Sequence, residues 1–207
     1  MHRLQYISQG NTGAEHLQNI QSTLEAGVRF IQLRLKNVTE EDYLDCALKA
    51  AELCKKFDAD LVINDSPFVA EKCNAIALHL GLDDMNVKDA KEIFKGKIIG
   101  GTANTLEHVI QRSNEEVTYI GLGPYRFTNT KEKLSPILGT EGYKSIVSEM
   151  KKRNIALPVY AIGGIEMEDI EKIIKTGVYG IAVSGMLTRA TDKKKTVEQI
   201  NKILEHA

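Results

Sequence analysis

The chain has 207 residues, of which 43% are hydrophobic, and a formal net charge of -1 at pH 7. This length and hydrophobic content fit one domain with a sizeable core. The near-neutral charge, with basic residues spread along the chain, argues against a general nucleic-acid-binding protein. No run approaches the roughly 20 apolar residues that span a bilayer, and residues 1–7 lack a secretory pattern. We therefore expect one cytoplasmic domain over residues 1–207 that binds neither nucleic acid nor membrane.

The three cysteines show no metal-ligand spacing. Cys46 and Cys54 lie eight positions apart on a predicted helix, which corresponds to a rise of about 12 Å. This separation is too long for a disulfide. We expect Cys46, Cys54 and Cys73 to be reduced and to pack in the core.

Short β-branched runs alternate with helical patterns along the chain. The predicted strands cover residues 3–8, 29–35, 59–64, 75–80, 97–102, 118–122, 158–162 and 179–184. The predicted helices cover residues 15–26, 40–57, 67–73, 86–94, 105–113, 142–153, 167–176 and 193–205. Eight strand–helix units in this length are typical of a small α/β protein, the (β/α)8 TIM barrel. An open doubly wound sheet is the competing architecture, but no GxGxxG pattern follows the first strand.

Five of the predicted strands end in residues suited to binding a phosphate or a metal. TIM barrels carry their ligand sites at the carboxyl ends of the strands, so we expect one site built from these ends. Gln32, Arg34 and Lys36 alternate along strand two and its end, so their side chains are predicted to point to one face of that strand. Barrel carboxylates could satisfy the two cations, but an anionic ligand such as pyrophosphate is the favoured interpretation.

Asp65 ends strand three and Asp84 lies just past strand four. Two acids at neighbouring strand ends suit Mg²⁺, which prefers oxygen ligands. Two structural alternatives remain: Asp65 could cap the helix beginning at Pro67, and Asp84 could be a solvated turn residue. We expect His79 to be a packed, hydrogen-bonded core histidine rather than a base or a ligand.

The longest connection between predicted elements covers residues 123–141, and long connections are often functional. It carries Thr128, Thr130 and Lys131, whose hydroxyls and ammonium group could close over a phosphate. A solvated polar loop would explain the same residues.

Two small residues, at least one of them glycine, follow each of the last two strands. Gly163-Gly164 ends strand seven and Ser184-Gly185 ends strand eight. TIM barrels often bind a phosphate there, because backbone N–H groups approach a ligand closely where side chains are absent. Turn geometry would explain either pair alone, but the two together favour a second anion site.

The motifs occur in an order and spacing that resemble one known family. They are QLRLK at 32–36, IND at 63–65, HLGLDD at 79–84, GPYRFTNTK at 123–131, AIGGI at 161–165 and GIAV at 180–183. Over nearly the whole chain, this set is similar to thiamine phosphate synthases and the related TenI-type proteins. The resemblance implies a transferase that joins hydroxymethylpyrimidine diphosphate to thiazole phosphate and releases pyrophosphate.

The resemblance also implies roles for individual residues. Those implied to hold the diphosphate are Gln32, Arg34, Lys36, Asn64 and Lys131. Those implied to hold the Mg²⁺ cofactor are Asp65 and Asp84, with Thr102 near the pyrophosphate. Those implied to contact the thiazole side are Thr128 and Thr130, and its phosphate would meet Gly164 and the backbone around Ser184. The partners would be these small substrates, and a homo-oligomer stays open.

The chain departs from the usual family pattern at a few positions. It has Leu82 where glutamine is usual, Ser66 where arginine is usual, and Thr102 where serine is usual. Ser184-Gly185 replaces a valine–serine pair but keeps a small turn rich in amide groups. The change at Leu82 removes a polar contact on the diphosphate and pyrimidine side, so it bears on substrate choice.

Three other functions are weighed against the synthase. A TenI-like thiazole tautomerase would need a proton-transferring base such as a loop histidine, and the chain has no histidine at 119–141. A non-catalytic binder of thiamine-pathway ligands is kept open by Leu82 and Ser66. A phosphosugar isomerase or aldolase would need a Schiff-base lysine or a clear carboxylate base, and the best strand lysine, Lys36, has Arg34 on its face.

Overall fold

Eight parallel strands form a closed barrel within residues 1–95, 98–127 and 136–206, which the computed structural model describes. The strands are β1 (Leu4–Ile7), β2 (Phe30–Leu33), β3 (Asp60–Asn64), β4 (Ala77–Leu80), β5 (Ile98–Ala103), β6 (Tyr119–Leu122), β7 (Val159–Ile162) and β8 (Gly180–Val183). Each strand pairs with the next, and β8 pairs with β1. The prediction of a TIM barrel is confirmed.

Helices follow the strands and cover the outside of the barrel. In the described ranges they are α1 (Gly13–Glu25), α2 (Glu40–Lys56), α3 (Pro67–Lys72), α4 (Val87–Ile93), α5 (Leu106–Asn114), α6 (Gly139–Lys152), α7 (Ile170–Ile174), α8 (Gly185–Thr188) and α9 (Lys193–Glu205). A 3₁₀ turn, Met167–Asp169, leads into α7. Side-chain oxygens fix several of the starts: the hydroxyl of Thr39, for example, accepts the N–H of Asp42 at the start of α2, as the preference for threonine at such ends predicts.

Most predicted boundaries agree with the structure to within two residues, but two differences bear on the site. Strand β2 ends at Leu33, so Arg34 and Lys36 lie in the loop beyond it and not within a strand reaching residue 35. Helix α8 was not predicted, because its four residues are too few to show a helical repeat.

The core has two parts. The larger lies between the sheet and the helices, and it contains Cys46, Cys54 and Cys73, which are buried and free as predicted. The smaller fills the barrel. There, the rings of Phe30 and Tyr119 meet edge to face with centroids 6.1 Å apart, an arrangement that aromatic quadrupoles favour.

The inner surface of the barrel changes character at the carboxyl ends of the strands. Since strand residues alternate between faces, the inner cluster identifies which residues point inward. The last inward-facing residue of each strand gives a ring, which we call the inner ring: Ile7, Gln32, Asn64, His79, Thr102, Gly121, Ile162 and Ala182. Its members on β2 to β5 are buried polar residues, and those on β6 to β8 and β1 are glycine or apolar. The inner ring therefore has a polar half and an apolar half.

Two buried tyrosines tie neighbouring strand ends together from outside the barrel. The Tyr43 hydroxyl in α2 lies 2.9 Å from the carbonyl of Leu33 and 2.8 Å from that of Asn64, and donates between them. On the opposite side, the Tyr143 hydroxyl in α6 donates to the carbonyl of Leu122 and accepts the N–H of Ile162 at 3.3 Å. The ends of β2 and β3, and of β6 and β7, are thus held in fixed relation.

We expect Gly100→Ala to destabilise the fold. A Cβ at position 100 would lie 2.1 Å from Cζ of Tyr119, and this ring is packed inside the barrel, where overpacking costs about 1–3 kcal/mol. Urea unfolding of the variant should show a lower midpoint. Gly13→Ala is the control, because its Cβ would meet Cys46 at an ordinary 3.6 Å and the change should stay within about 1 kcal/mol. Equal midpoints for the two variants would contradict the packing argument.

Candidate active site

A cavity of about 700 Å³ opens at the carboxyl ends of the strands, and we call it the rim cavity. Its lining includes residues 7–13 after β1, 34–38 after β2, 162–166 after β7 and 182–186 at the end of β8. The predicted site residues Arg34, Lys36, Gly164 and Ser184 are therefore brought together in one cavity. The two anion sites that the sequence suggested separately share this space.

Lys36 connects the rim cavity to the predicted pair of acids. Its ammonium group donates to Oδ2 of Asp65. The Asp65 carboxyl group is hydrogen bonded to that of Asp84, and Asp84 Oδ2 also accepts the N–H of Gly81 at 2.6 Å. The acids at the ends of β3 and β4 thus converge as predicted, with a lysine beside them.

Neither structural alternative for these acids holds. Helix α3 is capped by Ser66, whose hydroxyl accepts the N–H of Val69 at 3.2 Å, so Asp65 is not the cap. Asp65 instead adopts a left-handed backbone with φ of 69°, an uncommon conformation that aspartate tolerates better than most residues. Asp84 is half-buried and bound to two groups, unlike a solvated turn residue.

Burial and proximity push the pKa values of the two acids apart. Burial, followed by the hydrogen bond with Asp84, raises the pKa of Asp65 to about 6, although Lys36 opposes the shift. Burial also disfavours ionisation of Asp84, but the hydrogen bonds from Asp65 and Gly81, with the charge of Lys36, outweigh it and lower its pKa. Below about pH 6 the pair therefore shares one proton, held by Asp65.

This donor set fits a hard divalent cation. No cluster of three or more His, Cys, Asp or Glu side chains suited to a metal occurs among residues 1–95, 98–127 and 136–206. Mg²⁺ is commonly held by only one or two carboxylates, with water and substrate phosphates completing its shell. A cation between Asp65 and Asp84 would take the place of the proton they share.

The polar half of the inner ring is joined by hydrogen bonds. His79 is buried, with Nδ1 3.1 Å from the Tyr119 hydroxyl and Nε2 3.0 Å from the Thr102 hydroxyl. The prediction of a packed, hydrogen-bonded histidine is confirmed. The Tyr119 hydroxyl also interacts with Gln32, so predicted ligand-binding residues from β2 and β5 share one network.

The turn after β7 depends on glycine. Gly163 and Gly164 have φ values of 95° and 67°, in the left-handed region that favours glycine. A Cβ at Gly164 would also lie only 3.1 Å from the carbonyl oxygens of Arg126 and Phe127. This turn and the Ser184-Gly185 turn bring their backbones to the rim cavity.

The loop after β1 also belongs to the site and was missed by the sequence analysis. The Ser8 hydroxyl lies 2.7 Å from Nδ1 of His16 and accepts the backbone N–H of Arg34 at 3.1 Å. Burial lowers the pKa of His16, which lines the rim cavity with Ser8. The only signal was the polar run SQGN after the first predicted strand, which contains no charge.

Three predicted site residues, Thr128, Thr130 and Lys131, lie outside the described residues. Their roles stay predictions.

Comparisons with known proteins agree with the resemblance. The family pattern for thiamine monophosphate synthase matches residues 4–187 of the chain. The chain belongs to this family. Thiamine-phosphate synthases of Flavobacterium psychrophilum and Flavobacterium johnsoniae are 49% and 50% identical to it over 203 residues, which cover 98% of this chain and 98% and 96% of theirs.

A solved structure supports the same assignment. Thiamine phosphate pyrophosphorylase from Pyrococcus furiosus superposes with a TM-score of 0.86 at 30% identity, covering 99% of this chain and 96% of its own. The predictions of the family and of a transferase are confirmed by these relatives. In the described part of the chain, none of the helices has the length and apolar character needed to cross a bilayer.

We expect Asp65→Asn to stabilise the protein at neutral pH in the absence of divalent cations. The pKa of Asp65 rises from 3.8 to about 6 on folding, so between these values the folded chain holds a proton that the unfolded chain has lost. Stability due to this group is full below about pH 4 and is lost as the pH rises through about 6. Asparagine can still donate to Asp84 but carries no charge. Its advantage should grow from about pH 4 to about pH 7, reaching on the order of 1–2 kcal/mol.

Urea unfolding of wild type and variant between about pH 4 and pH 8 measures this difference. Asp45→Asn is the control, because Asp45 is an exposed carboxylate that also pairs with a lysine, Lys49, at 2.6 Å. Asp45→Asn should change the free energy of unfolding only slightly at every pH in this range. An advantage of Asp65→Asn that is the same at every pH would contradict the shared-proton interpretation.

Proposed function

We propose that the chain joins hydroxymethylpyrimidine diphosphate to thiazole phosphate, forming thiamine phosphate and releasing pyrophosphate. The observation that carries this proposal is that one cavity is lined both by two cationic side chains and by two glycine-containing turns. Arg34 and Lys36 stand at the β2 side, and the glycine-containing turns at Gly164 and Ser184 stand at the β7 and β8 side. Two anionic substrates need two such ends within one space. The names of the relatives support the same reaction.

The reaction requires stabilisation of a leaving group more than it requires a base. The bond between the pyrimidine methylene carbon and the diphosphate oxygen breaks, pyrophosphate leaves with the electron pair, and the thiazole nitrogen captures the carbon cation. Arg34, Lys36 and Lys131 would bind the departing oxygens. Charge that is positioned in advance for a developing anion is among the strongest contributions that an active site makes.

Asp65 and Asp84 would hold Mg²⁺ beside these cations. When bound, Mg²⁺ neutralises charge on the diphosphate oxygens. Lys36 is partly exposed and contacts Asp65, so without ligands its ammonium group balances the acid pair. We infer that this ammonium group turns to the diphosphate once the acids are bound to a cation.

The two halves of the inner ring suit the two heterocycles. Gln32, Asn64 and Thr102 offer hydrogen-bonding groups on the side of β2 to β5, where the nitrogens of the pyrimidine would bind. Gly121 and Ile162 offer a small and an apolar surface on the opposite side, where the thiazole would approach. Holding both rings in one opening brings the attacking nitrogen near the carbon cation.

Four expectations from the sequence analysis stay predictions: location in the cytoplasm, a single domain over residues 1–207, assembly into a homo-oligomer as an open alternative, and no binding of nucleic acid.

We expect purified protein to form thiamine phosphate and pyrophosphate when given both substrates with Mg²⁺, and to stop when EDTA is added. The assay measures pyrophosphate release and product formation together. Equal rates with and without EDTA would refute the metal role. Interconversion of thiazole tautomers without coupling would favour the tautomerase, and tight substrate binding without turnover would favour the non-catalytic binder.

We expect Lys36→Ala, Asp65→Ala and Lys131→Ala each to lower kcat by about 10²–10³, the scale of losing one preorganised charge contact. The control is the double variant Lys49→Ala with Asp45→Ala, which removes a similar lysine–aspartate pair from the exposed surface of α2. Its kcat should match wild type. Near-normal rates in Lys36→Ala and Asp65→Ala, with unchanged unfolding midpoints, would count against the site.

A further inference from the structure

A cation outside the motifs considered above stands beside the Ser184-Gly185 turn. Arg189 lies one helical turn after Gly185, and its backbone N–H donates to the Gly185 carbonyl at 3.0 Å. Helical side chains lean toward the amino end of their helix, which brings the guanidinium back over the turn. A Cβ added at Gly185 would lie only 2.2 Å from Nη1 of Arg189. The guanidinium therefore fills the space above this glycine, and Arg189 lines the rim cavity.

The ion-pair partner of Arg189 in this position is Glu166, which also lines the rim cavity. Nη2 of Arg189 lies 3.8 Å from Oε1 of Glu166, and the two side chains are 67% and 45% exposed. This distance is too long for a hydrogen bond, and exposed ion pairs of this kind are weak in water. Glu166 thus holds the guanidinium loosely, and a stronger anion can replace it.

Arg126 lies near the same turns but is bound differently. Its Nη2 donates to the buried Asp169 at 2.9 Å, and its Nη1 donates to the Gly164 carbonyl at 3.2 Å. These contacts fasten the turn after β7. Of the two arginines, Arg189 is the one whose ion pair is long and exposed to the rim cavity.

We propose that Arg189 is a specificity-determining residue that binds the phosphate of the thiazole substrate, and that Glu166 holds its guanidinium at the cavity wall until the phosphate replaces it. This rests on the proposed function. Backbone N–H groups of a small turn offer only partial positive charges to a phosphate, whereas a planar guanidinium adds a full charge and paired donors. Arg34 and Lys36 stand at the diphosphate end, so the second anion has a cation of its own.

Arg189→Gln tests the role directly. We expect the KM for thiazole phosphate to rise about tenfold or more, the loss of one charge-assisted contact, with kcat and the KM for pyrimidine diphosphate within about twofold of wild type. The corresponding thiazole alcohol, which lacks the phosphate, should react equally in both proteins. Arg153→Gln is the matched control, since Arg153 forms an equally long 3.8 Å pair with Glu149 on the surface of α6.

Glu166→Gln should act in the opposite direction. Removing the competing carboxylate leaves the guanidinium to the phosphate, so the KM for thiazole phosphate should fall about two- to threefold. If the ion pair served only to stabilise the fold, Arg189→Gln and Glu166→Gln would both raise the KM for thiazole phosphate. The proposal is overturned if Glu166→Gln raises this KM as Arg189→Gln does, if Arg189→Gln leaves it unchanged, or if Arg189→Gln impairs the alcohol equally.

Calorimetric titration separates this inference from the proposed function. Thiazole phosphate is titrated into wild type and Arg189→Gln without the pyrimidine substrate. Weaker binding by the variant, in a protein that shows no coupling, would support Arg189 while the synthase proposal fails. Coupling with equal binding and equal KM would support the synthase while Arg189 fails.

Discussion

Pairing of β8 with β1 closes the sheet, and the closure decides which residues can meet. Leu4 lies opposite Ile181 and Tyr6 opposite Val183 in this pairing. Because all neighbouring strands are parallel, every strand delivers its carboxyl end to the same rim. The loop containing Ser8 therefore lies between the ends of β2 and β8. Side chains and backbone groups from several loops can therefore line one cavity at this rim.

Closure of the barrel also brings two acids, Asp65 and Asp84, together at this rim. Packing two carboxyl groups at the ends of adjacent strands is unfavourable when both are charged. Burial and the contact with Asp84 raise the pKa of Asp65 to about 6, and Lys36 lies beside the pair. Asp65 also adopts a left-handed backbone, which is unfavourable for most residues. Both its backbone conformation and its ionised form therefore cost free energy. Such costs are common where a site is arranged for a ligand.

The order of elements was readable from the sequence, since buried parallel strands and amphipathic helices have distinct patterns. Their ends were harder to predict. The polar alternation around Arg34 continues beyond the last ladder hydrogen bond of β2, so pattern alone overestimates the strand. Asp65 and Ser66 are both good helix caps, so the sequence does not distinguish them. In the structure Ser66 caps α3. His16 lies on α1 and Arg189 directly follows α8, so neither shows the polar strand-end pattern from which the other site residues were predicted.

The tyrosine hydroxyls at Tyr43 and Tyr143 give the outer helices a direct hold on the catalytic rim. Each spans two neighbouring strand ends, Tyr43 those of β2 and β3 and Tyr143 those of β6 and β7. The spacing between these strand ends is thus fixed by hydrogen bonds from the helices on the outside of the barrel. A substitution in α2 or α6 that shifts one bridging hydroxyl would therefore move two strand ends at once, without changing any residue that lines the rim cavity.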